Sequence, residues 1–357
     1  MRVEVDAVWA GDRFLGRTVF EVAGRQLRRA DPASVAPAIR LGGTLIPRLT
    51  DHHTHLGLTD QRALFECGIT DAVDLGWVPQ EAAAWLADDA ARPAVAIAGA
   101  LLTAVGGYPR NAGWGPLGSV AELTGPRDVA DAVRTQLAAG ATRIKVTLNT
   151  ESGPTIDDAT LRAIVAEAHA SRVPVTVHVQ GEGQTARAVG AGADQLAHAP
   201  FTERVDDDLL RRAVDAGMTW VSTLDIHGWG RPTPEFGIAQ DNIRRFAAAG
   251  GRILYGTDLG NGPLAVGVNR RELEALAGAG LDATALLQTI AGRGEPQADE
   301  PDAIGPHAGD PDAIGPRFAW LPGTPPPLYS PDALPAWLAT ARGRTVDSIH
   351  DTLLEDS

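Results

Sequence analysis

The chain has 357 residues, 44% of them hydrophobic and 21% charged, which is close to an average soluble globular protein. A net charge of −14, from 31 basic and 45 acidic residues, argues against a nucleic-acid partner. No apolar run is long enough to span a bilayer, and Met1-Arg2-Val3-Glu4-Val5-Asp6 lacks the apolar core of a signal peptide. The single cysteine, Cys67, allows no intrachain disulfide, so the expected location is the reducing cytoplasm. Cys67 itself reads as a core residue, and nothing in the composition speaks against a homo-oligomer.

Residues 1 to about 47 read as short strands broken by turns: Val3 to Ala10, Phe14 to Val22, and a third run near Ile39. Buried apolar strands then alternate with Ala-rich helices. The predicted strands are Leu45–Thr50, Ile69–Leu75, Ala94–Leu102, Arg143–Leu148, Val173–Val179, Gln195–Ala199, Thr219–Leu224 and Arg252–Thr257. Helices are expected over Asp128–Ala139, Asp158–Ala170, Gly183–Ala191 and Asp206–Ala216, where apolar positions recur every three or four residues and several segments open on Asp. Eight such strand–helix units, over residues 48–292, predict a parallel (β/α)8 TIM barrel.

Beyond about Gly292 the pattern fails. Eleven of the 25 prolines fall between Pro296 and Pro335, and Pro-Asp-Ala-Ile-Gly-Pro occurs at 301–306 and again at 311–316. Residues 293–316 are therefore expected to form an extended loop. Arg317–Leu321 reads as a strand, Pro331–Thr340 as a helix and Thr345–Ile349 as a last strand. The simplest arrangement pairs residues 1–47 with 317–357 in a small β-module beside the barrel.

In such a barrel the chemistry belongs at the C-terminal ends of the strands. The first strand runs into Asp51-His52-His53-Thr54-His55, and alternation puts His53 and His55 on one face. Two neutral imidazoles so placed can bind one metal ion. Strand four carries Lys145, strand five ends in His178, strand six carries His198 and strand eight is followed by Asp258. The intervals between these residues match about 31 residues per βα unit, except for a compressed step from His178 to His198. Asp51 and His52 are expected to pack the strand rather than to ligate. The loops over the site should bring in Tyr108, Arg110 and Trp114 after strand three, Asn149 and Glu151 after strand four, and His227, Trp229 and Arg231 after strand seven. Of these, Tyr108, Arg110, His227, Trp229 and Arg231 are the candidate substrate contacts, an Arg among aromatics suiting a carboxylate.

Asp51-His52-His53-Thr54-His55 resembles the Asp-x-His-x-His of the amidohydrolase superfamily, and the later Lys, two His and Asp follow in the same order. Cys67-Gly68-Ile69-Thr70-Asp71-Ala72-Val73-Asp74, Leu102-Thr103-Ala104-Val105-Gly106-Gly107-Tyr108 and Gly140-Ala141-Thr142-Arg143-Ile144-Lys145-Val146 look like its imidazolonepropionase-like and prolidase-like branch. The resemblance covers residues 1 to about 292. It implies two divalent metal ions, Zn²⁺ first, with Mn²⁺, Fe²⁺ or Co²⁺ as alternatives. His53, His55 and Asp258 would hold one ion and His178 and His198 the other, with Lys145, carboxylated by CO₂ to a carbamate, between them.

The implied activity is hydrolysis of an amide or cyclic amide bond in a small molecule of dipeptide or N-acyl amino acid type. The ions would acidify a water and polarise the carbonyl. Asp258 would move the proton to the leaving nitrogen, and His198 belongs to the same catalytic group. The alternatives are the same site acting on a lactone, ester or other bond, and a non-catalytic barrel with structural histidines. The superfamily's usual C-terminal Pro-Gly-Lys-x-Ala-Asp-Leu run is not recognisable here, and Arg317-Phe318-Ala319-Trp320-Leu321 is the segment expected in its place.

Overall fold

The computed structural model describes residues 1–31, 36–292, 313–328 and 332–349. Seven short strands open the chain: β1 (Arg2–Val5), β2 (Ala7–Trp9), β3 (Phe14–Leu15), β4 (Thr18–Ala23), β5 (Gln26–Arg29), β6 (Ile39–Arg40) and β7 (Thr44–Ile46). The central region holds β8 (Thr50–Thr54), β9 (Asp71–Asp74), β10 (Ala94–Ile97), β11 (Leu101–Ala104), β12 (Val120–Leu123), β13 (Ile144–Asn149), β14 (Val175–Gln180), β15 (Gln195–Leu196), β16 (Thr219–Val221) and β17 (Arg252–Leu254). Last come β18 (Ala313–Ile314), β19 (Arg317–Leu321) and β20 (Arg342–Thr345).

The terminal strands form two five-stranded sheets, ordered β18-β5-β4-β1-β6 and β20-β19-β7-β2-β3. Alternation in β1 turns Val3 and Val5 inward, where they meet Phe20, Leu27, Ile314 and Phe318 in one apolar cluster. Strand β19 lies between β7 and β20, with Ala319 opposite Ile46. The C-terminal strands are thus laid into sheets begun by the first 46 residues.

The central strands are parallel, and β8, β9 and β13 are buried on both faces, as expected where helices cover a sheet. They form a three-stranded sheet, β10-β9-β8, and a seven-stranded sheet, β12-β11-β13-β14-β15-β16-β17. The chain passes from one sheet to the other by running β10 directly into β11 through Ala98, Gly99 and Ala100. At the opposite seam β17 meets β8: the amide of His52 donates to Tyr255 O (3.0 Å), that of Asp258 to His53 O (2.8 Å) and that of His55 to Leu259 O (2.8 Å). Counting β10 and β11 as one and leaving out β12, which pairs only with β11 at the edge of its sheet, eight strands follow in (β/α)8 barrel order. Helices such as Val129–Ala138, Asp158–Ala170, Asp207–Asp215 and Pro234–Ala248 connect them. The last of these packs on β16 by stacking Phe246 on Trp220, ring centres 3.9 Å apart and 4° from parallel. Among the described residues no helix is long and apolar enough to cross a membrane.

Several sequence expectations shift. The first barrel strand is not Leu45–Thr50: Leu45 and Ile46 belong to β7 of the terminal sheets, and the barrel strand is Thr50–Thr54, the histidine motif itself. Its polar residues can be buried because they find partners: Asp51 accepts from Thr257, Thr54 donates to Val73 O and His53 meets Ala197 O. The strand expected over Gln195–Ala199 ends at Leu196, and the break at Asp6 divides Val3 to Ala10. The last strand is Arg342–Thr345 rather than Thr345–Ile349, where the chain turns back on itself. The helix over Pro331–Thr340 shortens to Ala333–Leu338. Within the second repeat copy, Ala313 and Ile314 form a strand on β5 rather than a loop, because Ile314 is buried in the terminal cluster. The rest of 293–312 lies outside the described residues.

The loop after β16 is tied down from below. Asp225 accepts from Arg271 Nε (2.9 and 3.0 Å) and Asn269 Nδ2 (2.8 Å), and its amide donates to Glu272 Oε2 at 2.7 Å. Burial pushes the Glu272 carboxyl from 4.5 up to about 7. The folded chain therefore holds this proton more tightly than the unfolded one. The resulting stabilisation is present below pH 4.5 and is lost as pH rises through 7. Glu272→Gln, which cannot ionise, should gain on the wild type by about 2–3 kcal/mol between pH 5 and pH 8, a rise of several degrees in relative Tm. A Tm difference that stays constant across that range would refute it.

Gly99 makes the β10–β11 passage with φ of +73°, and a Cβ there would sit 2.4 Å from Gln136 Oε1, the atom that accepts the Ala100 amide at 2.8 Å. Gly99→Ala is expected to cost about 2–3 kcal/mol, lowering Tm by roughly 5 °C in a calorimetric scan. An unchanged Tm would mean that the passage tolerates a side chain.

Candidate metal centre

Five of the six residues expected to ligate metal sit at strand ends or just beyond them: His53 within β8, His55 one residue past it, His178 within β14, His198 two residues after β15, and Asp258 after β17. The sixth, Lys145, is the second residue of β13. All six line one cavity of about 360 Å³, the size of a small-molecule site.

His53, His55 and Asp258 offer ligand atoms that all lie within 4.8 Å of one another. Asp258 Oδ1 is 3.1 Å from His53 Nε2 and 3.2 Å from His55 Nε2. Each imidazole is turned by a bond on its other nitrogen. His53 Nδ1 lies 2.8 Å from Ala197 O and His55 Nδ1 3.1 Å from Gly76 O. A carbonyl can only accept, so both Nδ1 atoms carry the hydrogen, and in the neutral rings both Nε2 atoms point lone pairs at a carboxylate. Acceptors facing acceptors need a proton or a cation between them. Burial pulls His53 down to about 4, against the opposing charge of Asp258, so this ring is neutral near pH 7. Burial also opposes charge on His55, but the bond to Asp258 and the nearby Asp74 outweigh it and raise the ring above its ordinary value. For Asp258 the desolvation is overcome by His53 and by bonds from both imidazoles, leaving it well below the usual carboxylate range. The donor set fits a divalent cation.

The second cluster stands beside the first. The rings of His53 and His198 are 4.6 Å apart and those of His198 and His178 4.8 Å. His198 Nδ1 lies 2.9 Å from Thr223 Oγ1, while His178 Nε2 is buried without a hydrogen-bond partner. Burial pulls His178 down to about 3 and His198 well below its ordinary value, so both rings are neutral near pH 7. Lys145 is 2% exposed, and burial brings its amine down to about 7 against the pull of Asp258 and Asp74. A large share of it is free amine near neutrality.

Asp51 and His52 do not join the group. Asp51 accepts from Thr257 Oγ1 (2.6 Å), Thr257 N (3.0 Å) and His53 N (3.0 Å), and burial pushes it up to about 7. His52 is pushed down to about 3 by burial and by Arg143, Arg252 and Arg48.

Among the expected substrate contacts, Tyr108, His227 and Trp229 line the cavity, as does Trp114. Arg110 and Arg231 do not. Arg110 is exposed with Nε 3.4 Å from Glu122, and Arg231 is exposed on the loop surface. A guanidinium is better solvated there than it would be in an aromatic cavity. Asn149 and Glu151 bracket the amide of Gln180 (both 2.8 Å) instead of lining the wall. Missed by sequence reasoning were Thr147, Gln180, Phe201, Ile226 and Asn261, all in the wall. Two had a signal: Thr147 and Gln180 stand two residues after Lys145 and His178, hence on the same strand face. Asn261 Nδ2 donates to Asp258 Oδ2 at 2.8 Å and so leaves Oδ1 for the imidazoles.

Backbone strain gathers here. Thr223, Trp229 and Asp258 have φ of +41°, +48° and +58°, values rare for residues with a Cβ and found mostly where function holds them.

No curated protein matches the sequence. Solved structures do resemble it in fold. They include a Xaa-Pro dipeptidase with bound methionine (17% identity, TM-score 0.71, 95% of this chain and 96% of that one). An ochratoxinase of A. niger (19%, 0.71, 94% and 92%) and a prolidase complexed with N-methylphosphonate-L-proline (20%, 0.69, 96% and 97%) are similar too. The model of the amidohydrolase family matches residues 44–288, more than half of the chain. This chain therefore belongs to the amidohydrolase family, hydrolases that act on carbon–nitrogen bonds.

Proposed function

We propose that the chain is a metal-dependent hydrolase of an amide bond in a small molecule. The reading rests on one observation: the buried, back-tied imidazoles of His53 and His55 converge on Asp258 in a cavity of small-molecule size. His53, His55 and Asp258 would hold one divalent ion and His178 and His198 a second, with Lys145, as its carbamate, offering an anionic oxygen to each. Zn²⁺ suits these donors best. Bound there, the ions would acidify a water and polarise the substrate carbonyl.

The residues supply the rest. Asp258, steered by Asn261, takes the proton from the attacking water and passes it to the leaving nitrogen. Tyr108 lines the cavity, stacked on His178 with ring centres 5.1 Å apart. A phenol hydrogen can be donated to whatever occupies the cavity. Burial pushes Tyr108 up to about 12, which keeps that hydrogen in place. We assign it to the substrate carbonyl oxygen, where negative charge develops. The cavity volume suits a substrate of dipeptide or N-acyl amino acid size.

Protein prepared with Zn²⁺ or Mn²⁺ should hold close to two metal equivalents and cleave a member of a panel of dipeptides, N-acyl amino acids and other N-acyl amides. Well under one equivalent, or activity on lactones alone, would sink the reading. Lys145→Ala should lose the second ion and most activity, partly restored by added short carboxylates. Retention of both ions would exclude the bridging role. Tyr108→Phe is expected to lower kcat by about 10–100-fold with a smaller change in KM. An unchanged kcat would remove Tyr108 from the chemistry.

A further inference from the structure

His227 lines the cavity from the loop after β16 and is not among the proposed metal ligands. Its ring stacks on Phe201 with centres 4.2 Å apart and a 32° tilt, and its Nε2 is buried with no hydrogen-bond partner. Buried nitrogens left unpaired are uncommon, and those that persist call for an explanation. Unlike the orphaned nitrogens of His53 and His178, this one does not belong to the proposed ligand set. The partner open to a residue of the cavity wall is whatever fills the cavity.

The loop is built to hold the ring in place. The amide of Trp229 donates to Asp225 O at 2.7 Å, the Thr233 hydroxyl donates to His227 O, and the Asp225 carboxylate is clamped by Arg271 and Asn269. Trp229 is kept at positive φ by the same turn. A contact group fixed before binding loses little freedom when the ligand arrives.

Its surroundings are aromatic: Phe201 beneath it, with Trp229, Tyr108 and Trp114 elsewhere in the wall. Burial pushes His227 down to about 4, with Asp258 and Glu235 pulling the other way, so the ring is uncharged at neutral pH. An uncharged imidazole in such a wall offers a hydrogen bond but no ion pair. A carboxylate placed against it would lose its hydration without compensation, whereas a neutral polar group loses much less.

We propose that His227 is the specificity-determining residue of the site, hydrogen-bonding an uncharged polar group on an aromatic portion of the amide substrate and so selecting neutral aromatic amides over carboxylated ones. This rests on the reading above, in which the scissile amide lies at the metal-ligating group.

The test is calorimetric binding to Zn²⁺-loaded protein of three hydroxamates, whose chelating end anchors them at the metal. They are benzohydroxamate, 4-carbamoylbenzohydroxamate and 4-carboxybenzohydroxamate; the last two are nearly equal in size and differ in charge. The carbamoyl compound should bind at least tenfold more tightly than the carboxy compound. His227→Leu should weaken the carbamoyl compound about tenfold, a loss at least fivefold larger than for unsubstituted benzohydroxamate, and His227→Gln should recover part of it. If the carboxy compound binds as tightly, or if His227→Leu weakens all three alike, the specificity assignment is overturned while the hydrolase reading stands. If no hydroxamate binds, the metal-dependent reading falls and this inference with it.

Discussion

The carboxylate of Asp51 holds the molecule's functional half together. It accepts hydrogen bonds from the backbone of His53 on the first barrel strand and from both the amide and the hydroxyl of Thr257 after the last one, 206 residues along the chain. Three donors converge on one buried carboxyl group, and the two ends of the barrel are drawn into a single register. The amide of Asp258 then donates to His53 O, so the residue after Thr257 is delivered against the imidazoles of the first strand. Without this seam His53 and His55 would stand on one edge of an open sheet and Asp258 on the other. The proposed metal group is therefore a product of ring closure, not of local sequence.

That dependence explains what could be read in advance. Lys145, His178 and the His-x-His pair were legible because strand periodicity puts them at defined depths on defined faces, and spacing per βα unit is regular. Asp258 was legible by register alone. The boundaries of the first strand were not, because a run of Asp, His and Thr carries no apolar signal even when every residue is buried. Its burial is justified by partners 200 residues away. The wall residues Phe201 and Ile226 gave no warning either, since which loop side chains turn inward depends on turns such as that of Asp225 beneath them. Arg110 and Arg231 differ from expectation for the same reason: sequence places a guanidinium near the right strand, but solvent, and for Arg110 also Glu122, solvates it better than the cavity does.

The cavity divides its labour by charge. Nearly all its ionisable groups are packed at one end, where the Asp258 carboxylate stands among four imidazoles, a donor set suited to a cation. The other end is aromatic, with polar atoms but little charge. A substrate would meet strong, poorly specific forces at the first end and weak, directional ones at the second. The positive φ of Thr223, Trp229 and Asp258 places backbone strain at both ends, and the packing around the ring of strands is what keeps it there.

The strand β19 runs between β7 and β20, although β7 is made 270 residues before it. A ribosome therefore releases the barrel's entire sequence before the sheet beside it can be finished. Until then β7 presents an unpaired edge, and the apolar cluster of Val3, Phe20 and Leu27 lacks Ile314 and Phe318. The barrel has to fold next to an incomplete neighbour, which can be completed only by residues made after the whole barrel. Loss of β19 would strip the partner from β7, a strand some 270 residues earlier in the chain.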